Sequence, residues 1–191
     1  MRHPAPIIIV MSAAAAALAA CGGGGSPNVG VTTPTPPTLP PSPPSLPAVP
    51  SASSAEYLRS WGVSYIHAST AYNAGATGAG ITVAVIDSGV DGAQADLSGA
   101  LSADSTDIVA GRNQPVGTNT HATLVAGVIA ARYNGSGSLG IAFGSTILSI
   151  RADNSGTGSF SDFNTAAAIN YAVAHGARVI NLSLGGDTPD A

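Results

Sequence analysis

The chain has 191 residues, a length that fits one domain with appended segments. It carries 6 basic residues against 10 acidic ones, which gives a formal net charge of -4. The sequence therefore lacks the basic surface that nucleic-acid binding requires, and no nucleic-acid partner is predicted. The single cysteine excludes an intramolecular disulfide framework and a zinc site built from several cysteines. The composition does not indicate whether the protein is a monomer or an oligomer.

Residues 1–20 have the organisation of a secretory signal. Arg2 makes the N-terminal region positively charged, and an almost wholly apolar run extends from Ile7 to Ala20. The run is shorter than the roughly 20 residues that a membrane-spanning helix needs. The sequence that ends in Cys21 resembles a bacterial lipobox, which implies acylation of Cys21 and a lipid anchor to the membrane. The alternative is an ordinary signal peptide followed by an incidental cysteine.

Residues 21–55 have the composition of a linker. Ten of the 14 prolines lie between Pro27 and Pro50, and residues 22–55 contain no charged side chain. Such a segment cannot build a core and is typical of an extended, semi-rigid spacer. We expect a tether that holds a domain away from a membrane, with a proline-rich recognition segment as the alternative.

The segment 57–191 is predicted to be an α/β domain. It contains all of the chain's aromatic residues and alternates strand-like with helix-like stretches. This alternation favours a mostly parallel sheet flanked by helices. Gly127 is expected to let its helix pack closely on the sheet. The predicted strands are 81–86, 147–150 and 177–184, and the predicted helices are 121–132, capped by Asn119 or Thr120, and a second that begins after Ser161 and ends near His175.

Polar residues follow two of the predicted strands. Asp87 comes directly after the first strand, and Ser183 to Gly185 lie at the end of the last. His121 begins the helix that opens on the same edge of the sheet, where sites gather in open α/β sheets. Alone, Asp87 fits a turn or a helix cap, and His121 fits a helix cap or a packed side chain. Together they predict a carboxylate that orients an imidazole.

Three motifs in register resemble subtilisin-like serine proteases. The stretch from Val83 to Val90 resembles their aspartate motif, and the stretch from His121 to Gly127 resembles their histidine motif. The stretch from Val179 to Gly186 resembles their substrate-binding strand. The resemblance covers residues 57–191 and implies a subtilisin-like fold and peptide-bond hydrolysis.

The resemblance also implies roles for individual residues. Asp87 would orient His121, which would act as general base and then general acid. An extended polypeptide substrate would pair its main chain with two edges, a mode that suits any peptide. The residues of these two edges are Ser183, Leu184 and Gly185 on one side, and Gly156, Thr157 and Gly158 on the other.

The sequence departs from the family pattern at two positions of the histidine motif. Ala122 replaces a glycine, and its methyl group would either crowd the strand that carries Asp87 or be absorbed. Leu124 replaces a second histidine. Asp96 matches a calcium ligand of some relatives, although a surface turn is the simpler interpretation, and no cofactor is predicted.

The nucleophilic serine of the family is absent from these 191 residues. The family's chain order is aspartate, histidine, serine, and no Gly-Thr-Ser or Gly-x-Ser-x-Gly sequence occurs. We therefore expect the N-terminal part of a secreted subtilisin-like endopeptidase that is inactive alone, with a fold incomplete at its C-terminus and an exposed edge strand. The N-terminal arrangement also resembles autotransporter proteases. The alternatives are a peptide-binding lipoprotein without catalysis and a truncated gene product.

Overall fold

The computed structural model describes residues 49–154 and 158–185. All of them belong to one compact unit, Ser42–Ala191. The predicted signal segment, Cys21 and most of the predicted linker lie outside the described residues. So do Gly156 and Thr157.

A four-stranded parallel sheet forms the centre of the described fold. The strands are β1 (Thr82–Asp87), β2 (Thr106–Asp107), β3 (Thr146–Arg151) and β4 (Val179–Asn181). Their order across the sheet is β2-β3-β1-β4, and every pairing is parallel. The predicted α/β class with a parallel sheet is therefore confirmed.

The central strand β1 is buried on both of its faces. Val83 and Val85 point into the core on the side of one helix, whereas Ala84 and Ile86 point into the core on the opposite side. Successive side chains of a strand alternate between faces, so a sheet covered on both faces needs a continuous apolar run. This explains why the run that precedes Asp87 contains no second charge.

Helix α4 (His121–Ala130) covers one face of the sheet with small side chains. Ala122, Ala126 and Ala130 recur every four residues and are fully buried in the cluster that contains Val83. The prediction for Gly127 is wrong, because a Cβ atom at that position would meet nothing within 4 Å. The alanines make the close approach to the sheet, and Gly127 lies on the other side of the helix.

Helix α5 (Asp162–Ala174) covers the opposite face. The predicted cap is present, since the Ser161 hydroxyl accepts a hydrogen bond from the backbone N–H of Asn164 at 3.2 Å. Ala168 and Ala172 face the sheet, and His175 is the C-terminal cap. Both predicted helices therefore exist, although α4 ends two residues before the predicted residue 132.

Strand β4 is shorter than the predicted strand 177–184. It spans Val179–Asn181 and pairs only with β1, so it is an edge of the described sheet. Residues 182–185 have no ladder partner among the described residues and form a rim beyond the end of β4. β1 itself continues to Asp87, so the chain leaves the sheet after Asn181 although its partner strand runs on.

Three short helices precede the sheet and were not predicted. They are α1 (Ala55–Arg59), α2 (Trp61–Tyr65) and α3 (Ser69–Asn73), and they share a core cluster with Leu139 and Phe143. The linker was predicted to end at residue 55, but Pro50 is already buried. The Ser54 hydroxyl already caps α1 through the backbone N–H of Tyr57. The folded part therefore begins earlier than the composition indicates.

Candidate active site

A carboxylate and an imidazole meet at the carboxyl edge of the sheet. The distance between Asp87 Oδ2 and His121 Nδ1 is 2.8 Å. The Asp87 side chain is 2% exposed, whereas the His121 side chain is 49% exposed. Because an ionised carboxylate only accepts hydrogen bonds, Nδ1 of His121 carries the proton in this pair. Nε2 is then the acceptor of the neutral ring and is free for a proton transfer.

Hydrogen bonds with neighbouring residues hold both Asp87 and His121 in place. Asp87 Oδ1 accepts a hydrogen bond of 2.6 Å from the backbone N–H of Ser88. The backbone N–H of His121 donates to Asn119 Oδ1 at 2.9 Å, so Asn119 satisfies one of the open donors at the start of α4. Of the two predicted caps, Asn119 supplies the bond, and Thr120 makes no such contact.

The pair lies in a cleft of about 240 Å³. The cleft brings the two predicted catalytic residues together with the described residues of both predicted substrate edges. It also contains three residues that the sequence did not single out as lining a site. Its lining consists of Asp87, Ser88, Asn119, His121, Gly158, Phe160, Ser183, Leu184 and Gly185.

One predicted substrate edge is formed by the rim that follows β4. Ser183 and Gly185 are exposed, and Leu184 is half-buried. The Ser183 hydroxyl lies 2.9 Å from the side-chain amide nitrogen of Asn181, which donates to it. The backbone of this rim makes no sheet bonds with described residues, so it can accept an extended strand.

The other predicted edge follows β3. A bridge joins Asp153 to Phe160, and the backbone N–H of Asn154 donates to the carbonyl of Ser159 at 2.7 Å. These contacts fold the segment back on itself and place Gly158 in the lining of the cleft. Gly156 and Thr157, which were predicted for the same edge, lie outside the described residues.

The two departures from the family motif have different surroundings. Ala122 is fully buried in the cluster that includes Val83 and Val85, so the core absorbs its methyl group. Leu124 is 66% exposed and lines the groove on the outer face of α4.

Protein donors contact Asp96, the residue that matches a calcium ligand of some relatives. Asp96 Oδ2 already accepts hydrogen bonds from the backbone N–H and the hydroxyl of Ser138, at 2.8 and 2.9 Å. The nearby carbonyl of Gly137 is bound by the Arg59 guanidinium at 2.8 Å, and a fixed positive charge disfavours a cation there. Calcium prefers six to eight oxygen ligands. Within 49–154 and 158–185, no group of three metal-ligating side chains occurs.

A larger groove of about 660 Å³ lies between α1, α2 and the outer face of α4. Its lining is mainly apolar and includes the exposed side chains of Trp61, Leu124 and Val128. It holds no histidine or paired carboxylates, so the smaller cleft is the better candidate for chemistry. Among the helices that the structure describes, none is long and apolar enough to cross a membrane.

The fold and the pair together define an α/β protein with the aspartate–histidine arrangement that serine peptidases use. Comparison with known families matches residues 78–191 to peptidase S8, the subtilase family. The chain belongs to the subtilase family, which confirms the family predicted from the three motifs.

Individual relatives support the same assignment. Subtilisin E of Bacillus subtilis is 35% identical over 136 residues, which cover 70% of this chain and 35% of that protein. Subtilisin Savinase of Lederbergia lenta is 38% identical over 134 residues, which cover 69% and 47%. The chain thus spans between about a third and a half of these relatives.

A solved structure shows the same fold. The crystal structure of fervidolysin from Fervidobacterium pennivorans, described as a keratinolytic enzyme related to subtilisin, aligns with a TM-score of 0.59 and 33% identity. The alignment covers 69% of this chain and 21% of that chain. This likeness agrees with the parallel sheet and flanking helices seen here.

The sequence did not reveal a set of buried charges beside the cleft. Arg151 ends β3 directly opposite Asp87 in the sheet register, and it bonds to Asp153. The chain has only 16 formally charged side chains, and four of them, Asp107, Arg112, Arg151 and Asp153, meet in this set. Their pairing depends on contacts up to 41 residues apart, which no local pattern shows.

Proposed function

We propose that this chain is the N-terminal part of a secreted subtilisin-like serine endopeptidase, with Asp87 and His121 as two of its three triad residues. The observation that carries the proposal is the 2.8 Å contact between Asp87 Oδ2 and His121 Nδ1 in a cleft open to solvent. Membership of the subtilase family supports it. The chain spans less than half of the curated relatives compared above, so the serine is expected from polypeptide beyond these residues.

The geometry supports a separate task for each member of the pair. Asp87 fixes the orientation of the imidazole and its proton at Nδ1, and it stabilises the imidazolium that forms when Nε2 takes a proton. His121 would accept the proton of the serine hydroxyl through Nε2 and return it to the leaving amine. The half-exposed ring and buried carboxylate suit this division, because only the ring must reach the reacting atoms.

Substrate would bind as an extended strand between the two edges of the cleft. The rim from Ser183 to Gly185 and the opposite segment at Gly158 line the same cavity as the catalytic pair. Main-chain pairing places any peptide bond near His121, and side-chain pockets then set specificity. Polypeptides are therefore the proposed substrates.

The test begins with the gene beyond the codon for Ala191. We expect the reading frame to continue to an asparagine and a Gly-Thr-Ser turn. The longer protein should hydrolyse a chromogenic peptide and lose that activity when it reacts with a serine-directed sulfonyl fluoride. The 191-residue chain assayed beside it should show no hydrolysis. A longer product that cleaves peptides but resists the sulfonyl fluoride would refute the serine mechanism.

A second function is a peptide-binding lipoprotein without catalysis. It is favoured by the two substrate edges that line one cleft, which could hold an extended peptide without cutting it. A genuine stop codon after Ala191, together with peptide-induced changes in the amide signals of Ser183 to Gly185, would support it. A truncated product without function is expected instead to give no folded protein in cells.

We also propose export and lipid anchoring to the cell envelope, either at the outer membrane or at the cell surface. The apolar run that ends at Ala20, directly before Cys21, supports this, since two or more acyl chains give stable anchoring. Metabolic labelling with palmitate should mark the protein, and Cys21→Ser should remove the label. A label that persists in Cys21→Ser, or is absent from the unmodified protein, would contradict the anchor.

A further inference from the structure

Four buried charged side chains form a continuous network beside the candidate active site. Arg112 binds both carboxylate oxygens of Asp107, at 2.7 and 2.9 Å. It also donates to the Asp153 carbonyl at 2.6 Å and lies 3.2 Å from Asp153 Oδ1. Arg151 Nε donates to the same Asp153 oxygen at 2.7 Å. The two arginines and two aspartates balance in formal charge, and none of their side chains is more than 11% exposed.

The carboxylate of Asp107 remains charged within this network. Burial alone would raise its pKa, but hydrogen bonds from Arg112 and from the backbone N–H groups of Gln114 and Val109 outweigh burial and lower the pKa overall. The same Arg112 contact raises the pKa of the guanidinium. The Asp107–Arg112 pair is therefore ionic at neutral pH.

Arg151 extends from this network to the loop that precedes α4. Its Nη1 donates to the carbonyl of Gln114 at 2.9 Å and to the carbonyl of Val116 at 3.3 Å. These two bonds fix the backbone of residues 114–116 against the end of β3. Asp107 fixes the same loop from its other side, because it accepts from the backbone N–H of Gln114 at 2.9 Å.

The loop held by Arg151 lies directly on the turn that follows Asp87. A Cβ atom at Gly117 would overlap the carbonyl oxygen of Ser88, and one at Gly89 would overlap the carbonyl oxygen of Pro115. Arg151 lies beneath both glycines, since its side-chain atoms come within 3.1 and 3.3 Å of those Cβ positions. Asn119 lies two residues after Gly117, and its side-chain oxygen accepts the hydrogen bond from the backbone N–H of His121 at the start of α4.

We propose that Arg151 is a positioning residue for the Asp87–His121 pair, held in place by Asp153, Arg112 and Asp107. It fixes residues 114–116, and through them the approach of His121 to the turn after Asp87. The inference rests on the proposed function, because it assigns a purpose to the same pair. Buried ion pairs contribute little net stability and are often replaceable by apolar residues, so a positioning task accounts for the network better than stability does.

The experiment observes the pair itself and needs no catalytic activity. In the 191-residue chain, the Nδ1–H proton of His121 is followed by NMR with nitrogen-15-labelled histidine, because a proton held by a carboxylate resonates at low field. The double variant Arg151→Met with Asp153→Leu removes the ion pair without leaving either charge buried alone. Arg112 keeps both bonds to Asp107 in this variant. The control is Arg178→Met, which alters an exposed arginine just before β4.

We expect the double variant to unfold at nearly the temperature of the unmodified chain while the low-field His121 signal is lost. Arg178→Met should keep that signal. A folded double variant with an unchanged signal would overturn the positioning role. If the double variant does not fold, Arg151→Lys decides, because lysine keeps the charge but cannot span two carbonyls and Asp153 with a planar fork. In that variant a retained signal overturns the proposal. Absence of the signal from the unmodified chain would instead refute the Asp87–His121 pair.

Discussion

Asp87 and His121 are 34 residues apart in the chain and meet at 2.8 Å. The contact arises because β1 ends and α4 begins at the same edge of the sheet. The buried alanine face of α4 sets the height of the helix above the sheet, and the Ser88 backbone N–H fixes the second oxygen of Asp87. The pair is thus a product of the fold and not of a local motif.

The first prediction concerns the role of this pair in catalysis. In the longer gene product, Asp87→Asn should lower kcat for peptide hydrolysis by about 10⁴-fold, because an amide favours the wrong imidazole tautomer. His121→Ala should cost more, about 10⁶-fold, and the double variant should be little worse than His121→Ala alone, since members of a triad act as a unit. Steady-state kinetics measure each effect.

The matched control for these variants is Asp104→Asn, the same change at an exposed side chain. It should leave kcat and KM unchanged. Effects of Asp87→Asn and His121→Ala that multiply in the double variant would show that the two residues act independently. That outcome would contradict the pair.

The second prediction compares two glycine-to-alanine substitutions. Gly117→Ala should destabilise the fold by about 1–3 kcal/mol, because the new methyl group overlaps the Ser88 carbonyl and forces the loop away. Gly127→Ala should stabilise it by roughly 0.5–1 kcal/mol, because the position is helical and has open space. Urea unfolding of the two variants gives both values. Equal effects at the two positions would contradict the close approach of Gly117 to Ser88.

Much of the fold could be predicted, because its main elements carry strong local signals. The sequence predicts both the buried strand before Asp87 and the serine cap of α5, and the structure has both. Helices α1–α3 were missed because each has only five residues, too few for an apolar period. Strand β4 is shorter than the predicted strand 177–184, because Leu182 and Leu184 continue the apolar pattern after the pairing with β1 has stopped at Asn181.

The candidate site could be predicted only where it follows the strand ends. Asp87, His121 and the rim at Ser183 lie in one cleft, as their positions after strands or before a helix predict. Phe160 and Arg151 were not singled out, because their places depend on how loops fold back on the sheet. Such contacts join distant parts of the chain and have no signature in local spacing.

The third prediction concerns the loop that follows α4. The Glu56 carboxylate is 3% exposed and accepts backbone N–H bonds from Asn134 at 3.1 Å and from Gly135 at 2.9 Å. Glu56→Gln should destabilise the chain by about 1–2 kcal/mol, because a neutral amide accepts these bonds more weakly. Urea unfolding measures the change, and Asp104→Asn is the exposed control, expected to shift stability by less than about 0.5 kcal/mol. An equal effect in both variants would contradict the anchoring role of Glu56.

The fourth prediction is that this loop does not depend on calcium. Its backbone groups are held by Glu56, Arg59 and Asp96, which are all protein side chains. We therefore expect the same unfolding temperature in excess chelator and in millimolar calcium, measured by circular dichroism. A higher unfolding temperature with calcium that disappears in Asp96→Asn would show that a metal site forms there.

The last prediction concerns alkaline stability. Burial, with a smaller contribution from Tyr57, raises the pKa of Tyr72 from 10.0 to about 12. The folded state therefore keeps this phenol neutral at a pH where the unfolded chain ionises it. The resulting stability is complete below pH 10.0 and is lost as the pH rises towards 12. At about 1.4 kcal/mol per pKa unit, the loss approaches roughly 2–3 kcal/mol.

Tyr72→Phe separates this titration from the loss of a hydrogen bond. The Tyr72 hydroxyl donates to the Ile141 carbonyl at 3.0 Å, so the variant should lose about 1 kcal/mol at neutral pH. Between pH 9 and pH 11, its free energy of unfolding should fall less steeply than that of the unmodified chain. Tyr65→Phe is the control, because Tyr65 is 78% exposed and should leave the alkaline slope unchanged. Equal slopes for Tyr72→Phe and the unmodified chain would show that another group governs alkaline unfolding.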